Sequence, residues 1–212
     1  MAITNHVENN IGQAMGAKGL RTRRTLIDAT VGLLEHMSLR DVRVAHVTRA
    51  ARTSSATFYV YFETVQDVVL AAVEEISQSP SELLDMLAAP WPRAEARAMA
   101  RKFVKIYVDV WQTHRTIFRV RNLASEEGDE RFKRVREQSI RPLLVAMADR
   151  IEASGGGDSS APAFAQAGIL AAMLERLSAI YQGYRNSEQI TGDQLVEAAA
   201  LVLAERMAAN NN

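Results

Sequence analysis

The sequence predicts an all-α chain of about nine or ten helices, a small N-terminal three-helix unit followed by a larger helical body. Three observations carry this reading. Apolar residues recur at intervals of three and four through most of the chain, as they do along one side of a helix. Helix-start signals punctuate it, at Ser54, at the TVQD run from Thr64, at the SPSE run from Ser79 and at the TGDQ run from Thr191. Two short helical segments, residues 43–50 and 55–61, are separated by only a few residues, which is helix-turn-helix spacing.

In chain order, residues 1–19 contain Gly12, Gly16 and Gly19 with several Asn and little apolar periodicity, and are expected to form a flexible arm. Over residues 21–37, Leu26, Ala29, Leu33, Leu34 and Met37 recur at helical spacing and predict a first helix of about four turns. It opens with RTRR, cations where a helix dipole favours acids, so their benefit is expected to lie with phosphates. In VRVAHVTRAARTSSATFYVYF, residues 42–62, Val44, Val47 and Ala51 share one side of the first short helix, and Phe58 and Phe62 one side of the second. Ser54 is placed to cap the second helix. Ala56, Thr57, Tyr59 and Val60 are left facing outward with no carboxylate among them, a surface suited to a polyanion.

Thr64 then caps a helix with Val65, Val68, Val69, Ala72, Val73 and Ile76 on its apolar side. The SPSE run starts a short helix that ends before Pro90-Trp91-Pro92. The expected organisation is an arm at 1–19, a helix-turn-helix domain with its linker helix at 20–78, and a helical domain at 79–212. Within the last, residues 92–114 carry Phe103, Ile106, Tyr107, Val110, Trp111 and His114 on one broad face, and residues 115–124 supply Ile117, Phe118 and Val120. The next helix opens on Asp129 and Glu130, in keeping with its dipole, and runs to about Ala153 through Pro142, where a kink is expected. Residues 154–160, SGGGDSS, read as a loop. Helices over 162–185 and 192–207 close the chain. Their apolar residues, among them Ile169, Met173, Leu177 and Ile180 in the first and Leu195, Ala199 and Val202 in the second, cover more than one face. That excess predicts a partner, with two helices from each of two copies forming the four-helix interface of a homodimer.

Composition limits what such a chain can be. At 212 residues, 48% hydrophobic and 24% charged, it can bury one sizeable core and a small appended unit. No window approaches the roughly 18 uninterrupted apolar residues of a membrane span. The N-terminus lacks the charged-then-apolar pattern of a signal peptide, and the expected location is the cytoplasm with no membrane partner. The absence of cysteine excludes disulfides, thiol catalysis and cysteine-based zinc sites. Net charge is zero, yet residues 18–61 hold eight Lys and Arg against three acids. A local charge of this kind is the footprint of a nucleic-acid binder. The four histidines, His6, His36, His46 and His114, are scattered, and no HExxH, GxSxG or phosphate-loop pattern occurs. The chain is therefore not expected to be an enzyme or to hold a metal or cofactor.

Residues 21–76 resemble the DNA-binding domain of the TetR family of bacterial transcriptional regulators. Val47, Ala50, Ala51, Ser54, Thr57, Tyr59 and Phe62 carry the resemblance. The TFYVYF run, with LERL at residues 174–177, is similar to the subgroup containing the mycobacterial ethionamide-resistance repressor. The chain departs from the family pattern at Arg52, where glycine is usual in the turn, and at Val65, where a phosphate-contacting lysine is common. The resemblance implies a homodimeric regulator, by default a repressor, that binds a palindromic double-stranded operator and a small hydrophobic effector. Phosphate contacts are assigned to Arg21, Arg24, Arg43, Tyr59 and Tyr61, with Ser54 adding a backbone N–H or hydroxyl. Base reading falls to Ser55, Ala56, Thr57 and Val60, with the two reading heads roughly 34 to 36 Å apart. Family members sense effectors beneath the linker helix, and the candidate lining here is Trp91, Phe103, Tyr107, Trp111, Phe118, Met147 and Met173. The alternative is a helical ligand-binding or protein-interaction module without operator-specific DNA binding.

Overall fold

The computed structural model describes residues 10, 12, 14–76, 81–155, 161–184 and 189–209. These residues form ten α-helices and no β-strand. In order they are α1 (Ala17–Leu34), α2 (Val44–Ala50), α3 (Ser55–Tyr61), α4 (Val65–Ile76), α5 (Ser81–Ala88), α6 (Ala96–Thr113), α7 (Arg115–Glu126), α8 (Glu130–Ala153), α9 (Ala163–Tyr184) and α10 (Gly192–Met207). The chain divides into two compact units, Met1–Ser77 with Thr116–Arg136, and Gln78–Arg115 with Glu137–Asn212. Residues 116–136, expected to belong with the body, thus group with the N-terminal helices.

The first unit is built on one apolar cluster. Leu26 and Leu34 of α1, Val47 of α2, Phe58 of α3 and Val68, Val69 and Val73 of α4 are buried together. The same cluster takes in Ile117, Val120 and Ala124 from α7 and Phe132 from α8. The i, i+3, i+7 spacing on α7 places these three on one side, so the helix must find an apolar partner. α1 starts at Ala17, inside the segment expected to be an arm. A Cβ at Gly19 would lie 3.4 Å from Met15 and 3.6 Å from the Tyr61 hydroxyl, so the first turn of α1 runs beside the end of α3. The α4 start is as expected, with the Thr64 N–H donating to Asp67 Oδ2 at 2.8 Å and the Asp67 N–H donating to Thr64 Oγ1 at 3.2 Å. The start signal at Ser79 and most of the loop at 154–160 lie outside the described residues.

The second unit packs α6, α9 and α10 as its centre, with α5 and the later turns of α8 closing the cluster. Trp91, Phe103, Met147, Leu174, Leu203 and Met207 are fully buried within it. α6 begins at Ala96 rather than near Pro92, because residues 92–95 form a separate turn closed by the Glu95 N–H on the Pro92 carbonyl. α8 is one helix from Glu130 to Ala153 with Pro142 inside it. At its last turn the buried Arg150 donates to the Ala89 carbonyl at 3.0 Å, placing a cation where the α5 and α8 C-termini expose carbonyl groups. α9 is long and apolar enough in composition to cross a membrane, and it packs against α6 and α10.

The α10 start is the expected capping box. Thr191 Oγ1 accepts from the Gln194 N–H at 3.2 Å, and Gln194 Oε1 accepts from the Thr191 N–H at 2.8 Å. Gly192, the first helical residue, is buried beneath the Tyr181 ring, and a Cβ there would lie 2.7 Å from Tyr181 Cε2. Gly192→Ala is expected to displace that ring at a cost of about 1–3 kcal/mol. Urea unfolding of the variant checks this, and an unchanged midpoint would mean that Tyr181 swings aside freely.

Candidate nucleic-acid interface

In the first unit α2 and α3 are two short helices joined by a tight turn, the helix-turn-helix arrangement. Ser54 is extended at φ −94, ψ 157, and its Oγ accepts from the Thr57 N–H at 3.1 Å. The two hydroxyls of Ser54 and Thr57 also lie 3.0 Å apart, so Thr57 shares its hydroxyl with the cap. Phe58 is fully buried and Phe62 nearly so, 6.0 Å apart between ring centres, and they fix which side of α3 faces in. Ser55, Ala56 and Tyr59 are exposed, Tyr59 at 52%, while Thr57 and Val60 are half-buried. Tyr61 departs from Tyr59: it packs against the core and its hydroxyl approaches α1 at Gly19. The Val60 carbonyl accepts from the Asn10 N–H at 3.0 Å.

The turn answers the question raised by Arg52. Its φ is 50°, the left-handed region that glycine enters at no steric cost, and it is the one non-glycine residue there among the described residues. The Thr53 N–H donates to the Thr48 carbonyl at 2.9 Å and the Arg52 N–H to the Arg49 carbonyl at 3.2 Å. These two bonds are the Schellman closure of α2, with arginine in the position glycine normally takes. Arg52→Gly is expected to stabilise the protein by roughly 1 kcal/mol by removing the strained Cβ. It should also weaken DNA binding if the guanidinium grips a phosphate. Parallel thermal melts and DNA titrations check both, and a lower melting temperature would show that Arg52 is held by packing instead.

The basic surface is smaller than the residue count suggests. Arg23 pairs with Glu75 at 2.6 Å and lies 5.5 Å from the Phe62 ring centre. Arg24, expected on phosphate, pairs with Glu75 at 2.8 Å and Asp28 at 2.9 Å. Arg40 pairs with Glu127 at 2.7 Å. Arg21, Arg43, Arg49 and Arg52 are exposed and make no ion pair among the described residues. Arg43 precedes α2, and its N–H donates to His46 Nδ1 at 3.2 Å, which places the histidine proton on Nε2. Sequence reasoning missed Glu75 altogether. Its partners lie more than fifty residues away, and spacing along one helix carries no signal for such a pair.

Of the candidate effector residues, Trp91, Phe103, Trp111 and Met147 are buried in the second unit, with Tyr107 and Met173 half-buried against its cluster. Trp91 and Phe103 meet edge to face at 6.1 Å, and Trp91 Nε1 donates to the Met86 carbonyl at 2.8 Å. Phe118 belongs to the first unit, where the Arg121 guanidinium lies 4.8 Å from its ring centre. Burial lowers the His114 pKa below its ordinary value, favouring the neutral ring. Gln112 Nε2 donates to the Ser178 carbonyl at 2.6 Å, while its buried Oε1 has no partner among the described residues.

The candidate dimer residues divide. Ile169 is 74% exposed and Val202 45%, whereas Met173, Ile180 and Leu195 are half-buried. Leu177 and Ala199 are covered by the chain's own core. Phe164 and Leu201, not singled out from the sequence, are about half exposed beside them in the chain at 49% and 50%. α9 and α10 are apolar on nearly every side, so periodicity could not say which side the chain itself covers.

Comparison with known proteins adds the following. Residues 83–205 match the family model described as the C-terminal domain of tetracyclin repressor-like proteins. No curated protein matches the chain significantly. Similar solved structures include the fatty acid degradation regulator FadR from Bacillus halodurans, with TM-score 0.65, 13% identity and coverage of 93% of this chain and 100% of that one. A TetR-family transcriptional regulator from Streptomyces coelicolor aligns with TM-score 0.64 and 16% identity over 90% of this chain and 81% of that one. A protein from Saccharomonospora viridis, described as a transcriptional regulator and solved in complex with choline, aligns with TM-score 0.64 and 13% identity over 90% and 100%. At these identities the likeness concerns the fold.

Proposed function

The chain belongs to the tetracyclin repressor-like family, and from that premise we propose that it is a sequence-specific DNA-binding regulator, a cytoplasmic homodimeric repressor released from a palindromic operator by a small hydrophobic effector. One observation carries the reading: α3 is anchored by Phe58 and capped by Ser54, and it presents Ser55, Ala56 and Tyr59 outward with no carboxylate. Such a face has little reason to be kept bare of acids unless it meets a polyanion. Arg21, Arg43 and Arg52 set the position on phosphates, and Ser55, Ala56 and Thr57 read base edges. Tyr59 adds its hydroxyl to a phosphate; Tyr61 and Arg24 contribute less, the first turned to the core and the second held by two carboxylates.

The effector is small and largely hydrophobic. Arg150, Ser154 and Ser178 are the buried polar side chains of the second unit among the described residues, set against an aromatic and aliphatic lining. Gln112 Oε1 offers such a molecule a single hydrogen-bond acceptor. The neighbours described as a fatty acid degradation regulator and as a choline complex support a small organic effector. The TFYVYF and LERL runs support placement near the ethionamide-resistance repressor subgroup.

Titration on a duplex taken from upstream of the chain's own gene tests the reading. A specific complex is expected whose log affinity falls linearly with log salt, by about 0.9 per phosphate neutralised. No specific complex, or one indifferent to salt, would leave the helical ligand-binding module as the better account. Tyr59→Ala is expected to weaken binding several-fold, while stability stays within about 0.5 kcal/mol as for other exposed positions. Loss of the dimer in this variant would contradict an outward Tyr59.

A further inference from the structure

The start of α4 is held by two residues of another part of the chain. Asp67 uses Oδ2 to accept the Thr64 N–H. Its other oxygen, Oδ1, accepts from Arg131 Nη1 at 3.1 Å. That guanidinium is itself fixed: Asp129 accepts from Arg131 Nε at 3.3 Å and from Nη2 at 3.1 Å. Asp129 Oδ1 also accepts the Arg131 backbone N–H at 3.0 Å, capping α8. The next residue, Phe132, is fully buried in the cluster that holds Val65, Val68 and Val69 of α4. An apolar peg and a polar clamp thus join the first turn of α8 to the first turn of α4. Only Phe62, Glu63 and Thr64 separate α4 from the reading helix α3.

We propose that Arg131 is a positioning residue for DNA reading, which sets the direction in which α3 is presented by gripping the capping carboxylate of α4. The proposal rests on the DNA-binding reading above. The pair is half-exposed, 49% for the Arg131 side chain and 30% for Asp67, so its contribution to overall stability is small. Its effect is geometric. The Arg131 hydrogen bond holds the Asp129 carboxyl below the ordinary aspartate range. α8 also gives Leu143, Met147, Ala148 and Ile151 to the core of the second unit.

The test is a double-mutant cycle on the full chain with the upstream duplex as probe. Arg131→Ala is expected to weaken binding by about tenfold, within the range of residues that act through a neighbour. The slope of log affinity against log salt should not change, and Arg131→Lys should recover part of the loss. Asp67→Asn, which keeps an acceptor for Thr64, should weaken binding similarly, and the double variant should be no worse than either alone. Hydrogen exchange at the amides of residues 64–68 should quicken in Arg131→Ala without DNA present. A salt slope reduced by about one would mean that Arg131 touches a phosphate itself and would overturn the proposal. So would additive losses, or unchanged affinity with unchanged exchange. If the unmodified protein forms no specific complex, the DNA reading fails, and the exchange measurement still decides whether Arg131 holds the α4 start.

Discussion

Ile169→Glu is expected to break the proposed α9–α10 homodimer into monomers with helix content intact. Ile169 is the most exposed large apolar side chain among the described residues, at 74%, and it lies in the first third of α9. Val202 and Leu201 of α10 and Phe164 of α9 are also open to about half their area. A side chain of this size gains about 1.5–3 kcal/mol on burial. In a two-fold interface each substitution enters twice, and a carboxylate brought into it must also be stripped of water. The dimer dissociation constant should therefore rise by at least about 100-fold, taking 1.4 kcal/mol as a factor of ten. Sedimentation at micromolar concentration measures it, with circular dichroism as the control for folding, because glutamate is a good helix former and leaves the chain's own core untouched. Specific DNA affinity should fall with the dimer, since one half-site offers few base contacts. A variant that sediments as an undisturbed dimer would place the interface elsewhere.

Phe58→Ala is expected to cost about 3–5 kcal/mol, the usual penalty for emptying a fully buried phenylalanine site. Phe58 is 0% exposed, stands edge-on to Tyr59 at 5.5 Å and packs on Phe62 at 6.0 Å. It is the one fully buried residue of α3, a helix of seven residues with too few internal hydrogen bonds to persist without its tertiary contact. Denaturant unfolding should show the loss as a lower midpoint, and specific DNA binding should vanish at temperatures where most of the chain is still helical. The contrast with Tyr59→Ala is the informative one, since adjacent residues of one helix would lose function by different routes. If Phe58→Ala kept both stability and DNA affinity, α3 would have to be oriented by some contact other than its buried face.

Much of the first unit was legible from local pattern. Ser54, Thr64 and Thr191 cap the helices they were expected to cap, because capping needs only residues three positions apart. Phe58 and Phe62 face inward, and Val65, Val68, Val69, Ala72 and Val73 line the buried side of α4, because a helix with one apolar stripe has one way to bury it. The ion pairs were not legible. Glu75 draws off Arg23 and Arg24, and Asp67 receives Arg131, from positions 51 to 64 residues distant. Charge counting treats every cation as available. The folded chain leaves Arg21, Arg43, Arg49 and Arg52 without an ion pair among the described residues.

By itself the sequence determined the all-α class, the helix-turn-helix spacing and the caps, since these depend on groups that meet within one or two helical turns. Only the tertiary structure decided that residues 116–136 join the first unit's core and that Arg52 takes a left-handed turn. It alone turned Tyr61 toward α1 while leaving Tyr59 outside, and left Ile169 open where Leu177 is covered. Helices such as α9 and α10 are apolar around most of their circumference, so no periodic stripe selects a face. The choice falls to whichever neighbours pack first and best, and that is a property of the whole chain.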